Sequence, residues 1–460
     1  MIASLGIDVG LSGVRASVMR NDGRVLATAR CVSSPRFAEG IAEQDPRGWV
    51  AGAIEAGSRA VAEAATTVDG VAVVALGPAP VLIDVDGEPL APSPLFGLDR
   101  RAAPWRDRLA TGPDHALPTL LRWAETAPEL IARATTVLDA TGFVVRALTE
   151  VDTIDRIAAE SYRWPDVPSP IGLPEVAEPD AIAGKLLPEV ANALGVSPGT
   201  PVAVGTIDCF ADVAAAGVSA PGDAALLLGS TLILYAVAGG APEVPELDTT
   251  PHLGDGSLVG GSTATAGLAL DLLARLLGST EDLELEAAGL EPGSGGLLAL
   301  PYLAGERTPI RDPWARGVLA GLTLDSTPAS IYRAMVDGIA LTALDHHDRL
   351  EHAGLAPERY RVAGGGVLNR TWLTSVCDAV GTPLEVMPDA GSAAGAAWLG
   401  IRMLGSEPSR HPVHTCEPDE ARNERFQDLL GRARELWRAA GPLVRGLGDV
   451  GDDAIRRDHA

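Results

Sequence analysis

Gly6-Ile7-Asp8-Val9-Gly10-Leu11-Ser12-Gly13-Val14-Arg15 sets a carboxylate at the end of an apolar strand and follows it with a glycine-rich turn. That arrangement suits a metal-bound phosphate, although a Gly-X-Ser-Gly turn also closes ordinary β-hairpins. The pattern recurs downstream. Val204-Gly205-Thr206-Ile207-Asp208 again brings a glycine and a carboxylate to a strand end, Leu228-Gly229-Ser230-Thr231 ends a further apolar strand, and Val362-Ala363-Gly364-Gly365-Gly366 another. Glycine turns let backbone N–H groups approach phosphate oxygens, and Ser12, Ser230 and Thr231 add hydroxyl donors. Two such turns can grip one triphosphate from both sides, with Asp8 holding Mg²⁺ directly or through water. Asp208 then has two compatible readings. It is the base that accepts the proton of an attacking alcohol, or the cap of a helix over Cys209 to Ala216.

A chain of 460 residues exceeds the size at which a single core keeps growing, so two domains with a ligand cleft between them are expected. With 61 acidic and 36 basic residues the net charge is -25, which repels polyanions and argues against nucleic acid or an anionic membrane surface as partner. Cys31, Cys209, Cys377 and Cys416 form no Cys-X-X-Cys pair and read as reduced thiols. Met1-Ile2-Ala3-Ser4 runs straight into a strand, and no apolar run reaches membrane-spanning length. The expectation is a soluble cytoplasmic protein.

Local signals place the motifs. Residues 5–30 read as a β-meander with turns at Gly10 to Gly13 and Asn21-Asp22-Gly23; Asp45-Pro46 caps a helix that runs to Ala65. Strands resume at Val71 to Leu76 and Val81 to Val85, and residues 100–200 are mainly helical, with Trp164 to Pro174 as an ordered insertion. Near Ala224 a second β-opening imitates the first, which implies two copies of one sheet unit in an α/β fold. Gly254-Asp255-Gly256 is a hairpin turn, and helices follow at Thr265 to Leu277 and Ile331 to Glu351. Gly364 to Gly366 joins a strand to a helix from Asn369, where the backbone lies against a nucleotide or simply allows tight packing. A helix over Ala421 to about Ala440 precedes a frayed tail. The expected domains are 1–221, 222–445 and the tail 446–460. No Gly-X-Gly-X-X-Gly fingerprint and no P-loop occurs, and His346-His347 reads as a solvated or packing pair.

In this order the motifs resemble the FGGY family of carbohydrate kinases, within the superfamily of actin and hexokinase. The resemblance runs from about residue 3 to 400. Besides the turns above it includes Glu43-Gln44-Asp45-Pro46 with Trp49, Phe96-Gly97-Leu98-Asp99-Arg100-Arg101-Ala102, Gly305-Glu306-Arg307-Thr308-Pro309, and Gly391 to Gly395. It implies two ribonuclease H-like domains closing on sugar and ATP around a central cleft. It implies Asp208 as catalytic base, Asp8 and Asp208 as the Mg²⁺-associated carboxylates, and Gly10, Leu11 and Ser12 with Gly229, Ser230 and Thr231 as phosphate clamps. Arg15 is a phosphate contact or a surface charge, and Gly364, Gly365, Gly366 and Asn369 belong to the nucleotide site. The sugar-binding positions are Pro78, Ala79, Asp99, Arg100 and Asp208. The resemblance also implies a homodimer, although no residue marks an interface.

Three departures qualify this. Leu11 replaces the usual threonine, Thr206 the second glycine of Gly-Gly-X-Asp, and Gly77-Pro78-Ala79-Pro80 the xylulokinases' Gly-Gln-Met-His, which leaves Asp99 as the best polar sugar contact. The implied function is ATP- and Mg²⁺-dependent phosphorylation of a terminal hydroxyl of a small sugar, ketose or polyol, with a pentulose type foremost. The alternative is a degenerate kinase acting as a nucleotide- or sugar-binding regulatory module.

Overall fold

The computed structural model describes residues 1–95, 98–109, 116–161, 171–387, 391–409 and 411–457. The chain divides into two compact units, one of Met1–Ala215 with Ala390–Arg410, the other of Ala216–Asp389 with His411–Ala460.

In the first unit, strands β1 (Ala3–Gly10), β2 (Gly13–Arg20) and β3 (Val25–Val32) form an antiparallel meander, with Gly10 opposite Gly13 across the Leu11-Ser12 turn. A Cβ on Gly13, at φ 133°, would lie 2.2 Å from the Cys31 carbonyl oxygen, so only glycine lets β3 approach here. β1 pairs in parallel with Gly70–Ala75, which pairs with Pro201–Ala203 and with the short strand Thr206–Ile207. Helix α1 (Pro46–Ala64) begins as expected, with the Asp45 carboxylate accepting from the Arg47 N–H and proline in the first turn. Leu5, Ile7 and Val9 of β1 meet Trp49, Ala53 and Ala56 of α1 in the core.

The helix Gly391–Met403 also belongs to this unit, which corrects the expected division at 222–445. Its small residues allow a contact that side chains would block. A Cβ on Gly6 would lie 2.0 Å from the Ala393 carbonyl oxygen, and one on Gly395 would lie 2.9 Å from the Ala211 backbone. The chain therefore returns to the sheet it began with.

The second unit repeats the path. Ser257–Ser262, Leu232–Ala238 and Asp223–Leu228 are antiparallel neighbours, followed in parallel by Arg359–Ala363 and Leu384–Val386. Asp248–Pro251 and His414–Cys416 complete a seven-stranded sheet. The helix Pro328–His352 starts at a Thr327/Ser330 capping box and buries Tyr332, Ile339 and Leu344. The last helix spans Glu420–Arg457 with Pro442 inside it, so the segment expected as a tail is helical to Arg457. Its polarity argued for exposure, which does not by itself remove helical hydrogen bonds.

His346 and His347 pack as expected, against Thr308 (2.9 Å) and the Tyr360 hydroxyl (2.7 Å). All four cysteines are free thiols. Among the described residues no helix is long and apolar enough to cross a membrane. Residues 164–170 of the expected insertion lie outside the described residues, as do Phe96 and Gly97.

Candidate active site

The first unit gathers carboxylates that the sequence scatters. Asp8 faces Arg15 across β1 and β2, with Arg15 Nη1 3.7 Å from Asp8 Oδ2. The Asp8 side chain is buried and its Oδ1 has no hydrogen-bond partner. Burial pushes its carboxyl up to about 7; the Asp208 charge adds to this and Arg15 opposes it. Asp208 opens the helix Asp208–Ala215, and its Oδ1 accepts the Cys209 N–H at 2.7 Å. Burial raises Asp208 to about 6 against that hydrogen bond. Both readings of Asp208, helix terminus and reactive carboxylate, are thus available to one residue.

Asp212, one helical turn after Asp208, was missed. Its Oδ2 accepts the Ser392 hydroxyl at 2.9 Å, and burial, then the charges of Asp208 and Asp8, hold its carboxyl well above the usual range. The i, i+4 spacing from Asp208 was the only sequence signal for it. Three mutually repelling carboxylates with one unpartnered buried oxygen form a place that a divalent cation would relieve. Among the described residues no group of three ligating side chains converges as a metal cluster, and magnesium in general is held by few carboxylates and several waters.

The Leu11-Ser12 turn is tied down from behind. Gln44 Nε2 donates to the Leu11 carbonyl at 2.9 Å, while its Oε1 accepts the buried Trp49 indole N–H at 2.9 Å. This gives the Gln44…Trp49 motif its physical purpose. Arg30 donates to Ser12 Oγ at 2.9 Å, which leaves the hydroxyl proton to donate elsewhere. Thr206 is fully buried and its hydroxyl donates to Asp155 Oδ1 at 3.1 Å, so this departure points into the core.

The sugar-site expectations fare differently. Pro78 and Ala79 are buried, Ala79 within the core. Asp99 is saturated: it accepts from the Ala42 N–H at 3.1 Å and from Arg101 Nε at 2.9 Å. Arg101, bridging Asp99 and Glu43, is the more available polar group and was not singled out. Arg100 is exposed, its N–H bonded to the Gly40 carbonyl at 3.0 Å.

In the second unit the Gly229–Thr231 turn closes through Gly229 N–H to the Thr231 carbonyl at 3.0 Å, and the Ser230 carbonyl accepts from Ala266 at 2.9 Å. A Cβ on Gly364 would lie 2.5 Å from the Leu228 carbonyl oxygen, which brings the triple-glycine turn against the strand entering Gly229. Gly366 is covered by the Trp372 ring, 2.4 Å from where its Cβ would be. Packing therefore explains Gly364 and Gly366. Gly365 is exposed with nothing within 4 Å of such a Cβ, which leaves an open backbone shelf. Asn369 caps the helix Arg370–Val380 through the Trp372 N–H at 2.8 Å and gives its amide to the Tyr332 hydroxyl at 2.9 Å. Glu306 anchors the neighbouring loop by accepting from the Ala264 and Arg307 N–H groups, each at 2.7 Å.

Comparison with known proteins agrees with this architecture. Residues 250–404 match the profile of the FGGY family of carbohydrate kinases, C-terminal domain. The chain is 28% identical to the xylulose kinase of Escherichia coli K12, over 96% of this chain and 99% of that one. It is 29% identical to the xylulose kinase of Streptomyces rubiginosus, over 96% and 98%. The crystal structure of xylulose kinase from Rhodospirillum rubrum superposes with a TM-score of 0.84 at 25% identity, covering 96% of this chain and 99% of that one. The two repeated sheets are thus actin/hexokinase-like domains, and the protein is a carbohydrate kinase. Within that class, residues 250–404 are similar to the C-terminal domain of the FGGY family.

Proposed function

We propose that the enzyme transfers the γ-phosphoryl group of ATP to a terminal hydroxyl of a pentulose-type sugar, with Asp208 as general base. The observation that carries this is the state of Asp208: a carboxylate raised to about 6, with Oδ1 fixed by the Cys209 N–H. A base of that strength is ionised at neutral pH yet takes a hydroxyl proton more readily than an ordinary aspartate. Oδ2, which has no hydrogen bond among the described residues, is the atom that receives the proton.

Asp8, through its unpartnered Oδ1, and Asp208 are the residues that would hold Mg²⁺. A bound Mg²⁺ supplies charge neutralisation to the transferring phosphoryl group. The Leu11-Ser12 turn and the Gly229–Thr231 turn orient phosphate through backbone N–H groups and hydroxyls, and the open shelf at Gly365 takes part of the nucleotide. The saturation of Asp99 and the apolar Pro78-Ala79 pair support a sugar contact set that differs from the xylulokinase pattern, with Arg101 in it. The regulatory-module alternative rested on Leu11 and Thr206. The Leu11 carbonyl keeps its anchor and Thr206 points away from the site, so neither departure supports it. Free thiols and the net charge of -25 favour a cytoplasmic enzyme without nucleic-acid partners, and the resemblance favours a homodimer, which sedimentation tests.

The test is coupled ADP production with ATP and Mg²⁺ across pentuloses, tetruloses, hexuloses, sugar alcohols and aldonates, with Asp208→Asn as control. Activity on one class, lost in the variant, is expected. Silence across the panel, with ATP binding shown separately, would overturn the proposal.

A further inference from the structure

We propose that Asp155, acting through the hydroxyl of Thr206, is a positioning residue for Asp208. The proposal rests on the reading of Asp208 as base. The strand leading into Asp208 is only two residues long, Thr206 opposite Val74 and Ile207 opposite Ala75, so its ladder gives little hold. Immediately before it the chain pivots at Gly205, φ 79°, where a Cβ would lie 2.0 Å from the Val73 carbonyl oxygen. Beyond this pivot, side chains have to fix the backbone.

Thr206 is held at both of its polar ends. Its Oγ1 donates to Asp155 Oδ1 at 3.1 Å, and its carbonyl accepts the Thr141 hydroxyl at 3.0 Å. Both partners sit on fixed helix starts. Asp155 accepts from the Ile157 and Ala158 N–H groups at 3.0 and 3.1 Å, and Thr141 lies in the first turn of the helix Ala140–Thr149, capped by Asp139. All three side chains are buried. Two helix N-termini thereby grip one residue two positions before the base. A glycine at 206 would lack the tether, so the departure from the family's Gly-Gly-X-Asp pattern adds a constraint and does not mark decay. Asp155 Oδ2 is buried without a partner, and a carboxylate left that way in a core needs a purpose beyond packing.

The experiment compares Thr206→Val and Asp155→Ala, which break the tether, with Thr206→Ser and Asp155→Asn, which keep the donor and the acceptor. Turnover is read on ATP and whichever pentulose the enzyme uses best. The breaking variants should lose about 10- to 100-fold in kcat with both KM values within about twofold, because the base is displaced while the substrate sites stand. The conservative variants should stay within about threefold of the parent, a rescue that a loss of packing alone would not give. A folded Thr206→Val enzyme with parental kcat would overturn the inference; if Asp155→Ala does not fold, the Thr206 pair decides. Asp208→Asn separates the two levels. If it turns over normally, the base reading fails and this inference with it; if it is inactive while Thr206→Val is active, only the positioning role fails.

Discussion

Replacing Gln44 by leucine removes two hydrogen bonds and strands a buried donor. Gln44 is 6% exposed and Trp49 1%, so water cannot substitute for the lost partner of the indole N–H. The net loss of a hydrogen bond is worth about 1 kcal/mol, and a buried unpaired N–H costs about 1–3 kcal/mol. The Leu11 carbonyl, at the turn surface, regains water and adds little. The sum is about 3 kcal/mol against the first unit. For a unit of this size each kcal/mol moves the midpoint by about 2–4 °C, which gives a shift of about 6–12 °C. Differential scanning calorimetry should place that shift in one of two transitions. The same substitution frees the Leu11-Ser12 turn, so KM for ATP should rise several-fold while kcat changes less. A midpoint indistinguishable from the parent's, with KM for ATP unchanged, would refute the claim that Gln44 ties the phosphate turn to the core.

Asp208→Asn should lower kcat by at least about 10²–10⁴-fold while isothermal titration still detects ATP, since the base alone is lost. In the parent, kcat should fall as pH drops through about 6, where Asp208 takes up its proton, and a rate unchanged between neutral and mildly acidic pH would remove it from the base role. Stability should run the other way. Asp139 and Asp155 are raised from 3.8 to about 6 and about 7 by burial, so the folded state binds protons that the unfolded state has released. Their favourable contribution is complete below about pH 3.8 and is lost as pH rises through 6 to 7. Asp155→Asn should therefore flatten the decline in midpoint across that window, and an unchanged slope would count against this assignment. Gly6→Ala should prevent folding of the first unit, because its Cβ would meet the Ala393 carbonyl oxygen at 2.0 Å; a soluble, cooperative variant would show that the helix Gly391–Met403 can move away.

Features with local causes were legible. The hairpin at Leu11-Ser12, the Asp45-Pro46 helix start and the second β-opening at Asp223–Leu228 follow from turn chemistry and alternation within a few residues. The site was legible in part. Asp8, Asp208 and the glycine turns stood out because the pairing of strand end, glycine and carboxylate recurs along the chain, although each motif alone also suits an ordinary turn or cap. Asp212 did not, since an aspartate in an alanine-rich helix looks like any solvated residue until Ser392, 180 positions away in the chain, donates to it. Asp99 and Asn369 looked like ligand groups; Asp99 is saturated by Ala42 and Arg101, and Asn369 is engaged by Trp372 and Tyr332.

The sequence by itself determined the two α/β units, the turns that carry them and the kinase family they resemble, because φ/ψ demands and apolar periodicity are written locally. Only the tertiary structure decided which carboxylates share a site, which polar groups remain free, and that the helix Gly391–Met403 rejoins the first sheet. Those outcomes depend on burial and on partners distant in the chain. A carboxylate's chemistry is set by what removes its water, and that is known only once the chain has packed around it.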